Sequence, residues 1–265
     1  MDAELRTWWL LLCAVAAFNL CLLAVSGLRL RSRGEDVSAG RWLLFWLSAV
    51  YAAGCAFRSV LPMVDLPRIC LHDTWISRIA VGRTVATIAE LCFAWQCALI
   101  LREAAEGRGM AAFAARLIVP IIVAAEVSSW AAVVTSNWLL HAVENSLWTL
   151  AAVLSLGGLL SLRSQFSART VRFIEAACAC AGGYVAYMVL VDVPMYLSRW
   201  QSDPAGDGSL PLVQGLRTLV ARCSVEPRWE VWSGDALWLT LYFTLAVWIS
   251  LSLPHAPALR SRKYE

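Results

Sequence analysis

The sequence predicts an all-α integral membrane protein: a seven-transmembrane helix bundle, amino terminus outside and carboxyl terminus cytoplasmic, with a short amphipathic helix between helices six and seven. Three observations predict it. Of 265 residues, 60% are hydrophobic and 15% charged, against about 45–50% and 25% in soluble chains. Seven separate stretches stay apolar over the roughly 20 residues that a membrane-spanning helix needs. Basic residues also concentrate in alternate connecting segments, as short cytoplasmic loops do.

The spans are expected at residues 8–28, 41–61, 77–101, 111–136, 139–162, 171–196 and 235–253, within a single domain over 1–265. Asp2, Glu4 and Arg6 precede the first stretch. That is not the basic lead-in of a signal peptide, and the stretch exceeds the usual apolar run of about 7–15 residues, so it is read as a retained span. Arg29, Arg31, Arg33 and Arg41 follow it; Arg102, Arg108 and Arg116 follow the third span, Arg163, Arg169 and Arg172 the fifth, and Arg260, Arg262 and Lys263 the seventh. These mark the cytoplasmic side, with residues 254–265 as the cytoplasmic tail. The fourth and fifth spans nearly touch, so Asn137 and Trp138 form a tight helical hairpin turn.

Two segments on the other side are long. Pro62–Trp75 carries Pro62 and Pro67 and reads as an extended, turn-rich loop. The outer loop 197–234 contains the turn cluster Asp203–Gly208, then Leu212, Leu216, Leu219 and Cys223 at helical spacing. This is the expected amphipathic helix, lying on the membrane surface or capping the bundle. Trp75, Trp200, Trp229 and Trp232 suit an aromatic belt. Of nine cysteines, seven fall inside apolar helices, where the thiol behaves as a small hydrophobe. Cys70 and Cys223 lie in the two long loops and are the disulfide candidates in an oxidising exterior.

Ionisable groups within spans are costly and usually face a bundle interior or cavity. Arg58, Arg83, Glu90, Glu126, Glu144 and Asp192 are such groups, and all but Glu90, near the midplane, are shifted toward the outer side. Arg83, Thr87 and Glu90 form one stripe at i, i+4, i+7; Arg83 is expected to snorkel outward, and Glu90 to hold a proton. Trp130 shares a side with Glu126; His141, Glu144 and Asn145 lie within two turns; Tyr187 leads toward Asp192; Trp238 and Tyr242 stack at i, i+4. Together these residues predict an outward-facing acidic and aromatic pocket, with a structural alternative in which the acids and arginines are interhelical glue. Glu175, one turn after Arg172, reads as a surface ion pair.

Two arginines against four carboxylates favour a proton or a cation over an anion. The leading expectation is therefore a binder or transporter of a small amphipathic or cationic molecule in a cell membrane. The alternatives are a membrane-embedded enzyme acting on a lipid or isoprenoid and a structural subunit of a membrane complex. His141 and Glu144 offer two metal ligands at i, i+3, with Glu126 or His72 to complete a site; no metal, cofactor or catalytic residue is assigned on that spacing alone. The expected partners are the lipid bilayer and a small amphipathic or lipid ligand. A formal charge of +3 is too mild for nucleic acid. In outline the topology resembles rhodopsins and G-protein-coupled receptors. However, the single lysine, Lys263, lies outside the last span, so no retinal Schiff base can form there. Asp-Arg-Tyr after the third span and Asn-Pro in the seventh are also lacking.

Overall fold

The computed structural model describes residues 1–34, 37–107, 109–166, 168–202, 210–221 and 223–257. The turn cluster Asp203–Gly208, Arg108 and the basic tail residues Arg260, Arg262 and Lys263 lie outside the described residues. Among the described residues, seven helical stretches are long and apolar enough to cross a membrane: Ala3–Ser32, Ala39–Val60, Ile79–Ala105, Gly109–Thr135, Trp138–Gln165, Thr170–Gln201 and Trp229–His255. The chain is a multi-pass, all-α membrane protein. Several stretches run past the hydrocarbon length read from the sequence, among them the first, Ala3–Ser32, and the last, which begins at Trp229 rather than Asp235. Helix formation does not stop where hydropathy falls.

The helices are α1 (Ala3–Ser32), α2 (Ala39–Val60), α3 (Ile79–Ala105), α4 (Gly109–Thr135), α5 (Trp138–Leu162), α6 (Ala168–Tyr187), α7 (Val193–Gln201), α8 (Leu212–Val220), α9 (Trp229–Leu241) and α10 (Val247–Ser252). Two of the spans are interrupted. A π-helical turn, Met188–Asp192, joins α6 to α7, and another, Tyr242–Ala246, joins α9 to α10. Pro194, in the first turn of α7, supplies a cause for the first: proline has no N–H, and its ring clashes with the carbonyl four residues back, so the preceding turn widens.

The chain forms two compact units. One comprises Met1–Phe93 and Leu216–His255, the other Ala94–Gly215 and the residues from Ala256. In the first unit the apolar core gathers Leu5, Trp8 and Leu12 of α1, Tyr51 and Cys55 of α2, and Trp232, Leu239 and Phe243 of the last span. Polar side chains tie the same helices together, as in other lipid-embedded bundles, where apolar burial gives no preference for helix over lipid. Asn19 Nδ2 donates to the Phe243 carbonyl at 2.8 Å, a group within the π turn, and Trp248 Nε1 donates to Asn19 Oδ1 at 2.9 Å. Trp8 Nε1 donates to Thr240 Oγ1 at 3.0 Å, and Ser48 Oγ to the Ser250 carbonyl at 2.8 Å. Trp232 is not a belt residue: fully buried, it packs 5.8 Å from Trp8 and donates to the Glu226 carbonyl at 3.0 Å. Trp75, by contrast, is 72% exposed.

The long loops of this unit are not irregular throughout. Strands β1 (Met63–Val64) and β2 (Ile69–Cys70) pair antiparallel across Asp65–Arg68, and β2 pairs parallel with β3 (Ser224–Val225). The Leu66–Pro67 bond is cis, and Arg68 takes a positive φ of 67°. Cys70 and Cys223 are joined by a disulfide, Cα–Cα 5.8 Å, closing a separation of 153 residues. The amino terminus meets the same segment. Asp2 N donates to the Pro227 carbonyl at 3.0 Å, while the Asp2 carboxylate accepts from Trp229 N at 3.0 Å. An acid at that position favours the exposed N–H groups of α9.

Glu226 sets a pH dependence in this region. Hydrogen bonds from Arg228, at 2.8 Å to each carboxylate oxygen, hold its carboxyl down from an ordinary 4.5 to about 2. A depressed carboxyl contributes stability above its unfolded value and loses it as pH falls through the folded one. The contribution is therefore complete above about 4.5 and disappears toward about 2. The apparent melting temperature is expected to fall more steeply across that window in the wild type than in Glu226→Gln; parallel curves exclude the contribution.

In the second unit α4 and α5 form an antiparallel hairpin. Ser136 takes φ 58°, and Asn137 caps α5 by accepting from Leu139 N at 2.9 Å, so Trp138 is the first helical residue rather than part of the turn. Buried alanines line α4, and small residues let helices approach closely. Gly158 of α5 shows the same need, since a Cβ there meets Leu101 at 3.1 Å and the Ala111 Cα at 3.2 Å. Gly215 of α8 leaves no room for a Cβ against the Val134 carbonyl. Glu175 pairs with Arg163 at 2.6 Å rather than with Arg172, at an exposed position.

Candidate functional site

In the first unit the structure gathers Arg83, Glu90 and Tyr242 and adds Asp65. Arg83 does not snorkel outward; it is 4% exposed. Its guanidinium reaches Glu90 Oε2 at 2.6 Å, Asp65 Oδ2 at 3.5 Å and Thr87 Oγ1 at 3.4 Å. Tyr242 donates to the other Glu90 oxygen at 3.0 Å. The i, i+7 spacing on α3 stacks Arg83 over Glu90, while the tight β1–β2 turn presents Asp65 from above. Glu90 thus sits between two donors, and the cluster ties α3 to the last span. Arg58 lies at the end of α2, its Nη2 donating to the Met63 carbonyl at 3.0 Å. Trp238 packs against Tyr242 with ring centroids 5.9 Å apart and the planes tilted by 41°.

The second unit holds the other acids. Glu126 of α4 and Glu144 of α5 are 4% and 6% exposed, and each offers a carboxylate oxygen within 4.8 Å of the other. His141 Nδ1 lies 2.7 Å from Glu144 Oε2, itself 6% exposed. One turn along α4 from Glu126, the Ser129 hydroxyl is fully buried with no hydrogen-bond partner. Two carboxylates this close repel by about 3–4 kcal/mol when both are ionised, taking an effective dielectric of about 20. A positive charge beside them is therefore stabilised. Asp192 is buried in the π turn. Trp130, Asn145 and Tyr187 are half-buried on α4, α5 and α6.

Aromatic residues outside the expected pocket adjoin this pair. The rings of Trp138, His141 and Tyr196 contact one another, with centroids 6.4 Å (Trp138–His141), 6.0 Å (Trp138–Tyr196) and 5.3 Å (His141–Tyr196) apart. The Arg199 guanidinium lies over Trp138 at 5.1 Å and over Tyr196 at 5.8 Å from the centroids. Trp138, His141 and Glu144 follow one another at steps of three, each turned about 60° from the last, so they wind part of the way round α5 with His141 in the middle and Glu144 about 9 Å along the axis from Trp138. The local signals for the missed residues were the Trp138–His141 and Tyr196–Arg199 spacings of three.

In comparison with known proteins, no family model, no curated protein and no solved structure matches the chain.

Proposed function

We propose that this multi-pass protein binds or transports a small amphipathic cation, with Glu126, Glu144 and His141 as the intramembrane site that receives the charge. The observation that carries the reading is the approach of two buried carboxylates, on neighbouring apolar helices, within 4.8 Å of each other. Intramembrane acids default to a functional role because their burial is costly. Here the cost recurs on both helices of a hairpin that alanines alone could pack. His141 orients Glu144 through its 2.7 Å hydrogen bond, and the rings beside it suit the apolar surround of an organic cation. The disulfide between Cys70 and Cys223 supports a location where that end of the protein faces an oxidising compartment, such as the exterior of a cell membrane.

The test is a titration of the purified protein in nanodiscs with dodecyltrimethylammonium, with dodecanol as the neutral control. The wild type is expected to bind the cation and not the alcohol; Glu126→Gln or Glu144→Gln is expected to weaken binding at least tenfold while leaving the folded yield unchanged. Equal binding of cation and alcohol, or unchanged affinity in both variants, sinks the reading.

A further inference from the structure

We infer that Trp138 and Tyr196 form a clamp for an ammonium head, and that Arg199 occupies it as a resident cation which an incoming ligand displaces. This rests on the cation-binding reading above and adds the chemical class of the head group and the control of its entry. The rings take a guanidinium in the structure itself, with the Arg199 Cζ 5.1 Å and 5.8 Å from the two centroids. Both distances lie within the roughly 6 Å over which a ring quadrupole attracts a cation. An alkylammonium places the same charge, spread over a similar volume, against the same two faces.

The position of the clamp along α5 gives it a role in entry. Trp138 is the first residue of the helix, and Glu144 lies six residues further, about 9 Å at helical rise. His141 stands between them, in contact with both rings and bonded to Glu144. A cation passing from the helix start by way of His141 meets the aromatic pair before the carboxylates, and Arg199 stands on that pair. Tyr196 and Arg199 are three residues apart on one helix, so the arginine reaches the rings from the helix that supplies one of them. The guanidinium is at the end of a flexible stem, so it leaves the rings by side-chain rotation without movement of the helix.

Two sources can present this head group: a choline lipid of the bilayer and a free alkylammonium. The experiment uses the full chain in phosphatidylglycerol nanodiscs and again in phosphatidylcholine nanodiscs, titrated with dodecyltrimethylammonium. In phosphatidylglycerol, Arg199→Gln is expected to raise affinity about tenfold and Trp138→Leu to lower it about tenfold. Arg199→Lys, which keeps the charge without the planar face, is expected to fall between wild type and Arg199→Gln. A gain that shrinks in phosphatidylcholine identifies the lipid head as the occupant; a gain equal in both identifies the free cation. Unchanged or weaker binding in Arg199→Gln, or unchanged binding in Trp138→Leu, overturns the proposal. Should Arg199→Gln fail to fold, Arg199→Lys and Trp138→Phe carry the same signs, and no change in either overturns it equally. If Glu126→Gln abolishes binding while the Arg199 variants leave it unchanged, the function stands and the displacement alone is wrong. If the wild type binds no cation, both fail.

Discussion

Replacing Arg83 by methionine is expected to destabilise the first unit by about 3–5 kcal/mol, the cost of leaving a buried charge without its partner. The guanidinium reaches both Glu90, at 2.6 Å, and Asp65, at 3.5 Å. All three side chains are nearly excluded from solvent, at 5%, 12% and 9% exposure. Its removal leaves two carboxylates in a low-dielectric setting, with the Tyr242 hydroxyl as a remaining donor to one of them. Glu90→Gln in the Arg83→Met background is expected to recover part of the loss, and adding Asp65→Asn more, because each removes a stranded charge. Unfolding in a graded anionic detergent measures the series. A fall of less than about 1 kcal/mol for Arg83→Met, as for exposed pairs, means that these groups are not buried as described.

The disulfide is the second large term. Cys70→Ser or Cys223→Ser is expected to destabilise the protein by about 2–5 kcal/mol, as loss of a native disulfide does. The link closes a separation of 153 residues, so the chain it constrains is long, and loop-closure entropy grows with length. Its local effect is sharper. The strands are two residues each, too short to persist as an isolated pairing, so the β2–β3 contact depends on the covalent tie. Amide exchange should quicken at Ser224 and Glu226, whose N–H groups donate to the carbonyls of Arg68 and Cys70, while α4 and α5 stay protected. Uniform exchange changes across the chain argue against a role confined to this end.

How far the sequence could be read depended on the kind of interaction involved. The seven spans were legible because hydropathy is local: twenty apolar residues in a row have one stable form in lipid, with every backbone group bonded internally. For the charged groups, spacing along a helix showed which ones share a face but not which ones pair. Arg83 and Glu90 fall on one stripe of α3, and His141 and Glu144 are three residues apart on α5, so spacing alone placed each pair on one face. Asp65 was not legible as an ion-pair partner, because it sits in a two-strand turn whose geometry no periodicity announces. Spacing pairs Glu175 with Arg172 on its own helix, whereas it reaches Arg163, twelve residues back.

The π turns account for a further gap. One extra residue in a turn rotates everything beyond it by about 100° relative to an unbroken helix. Tyr196 closes the span read at 171–196 and Arg199 falls in the loop read at 197–234, so neither enters the expected pocket although the helical stretch runs to Gln201, and counting through Met188–Asp192 misassigns the faces beyond it. Pro194 was the available sign that the count should be restarted.

That the chain crosses a membrane, and which acids and arginines lie within its helices, can be read from the residues alone, because transfer into lipid is decided residue by residue. Which charges meet follows from the packing of the helices and loops. Arg83 is held by Asp65 and Glu90, Glu126 lies beside Glu144, and Arg199 sits on the rings of Trp138 and Tyr196. Such pairings depend on distances of a few ångströms between segments far apart in the chain, and at that range the position of one turn outweighs any preference written along a single helix.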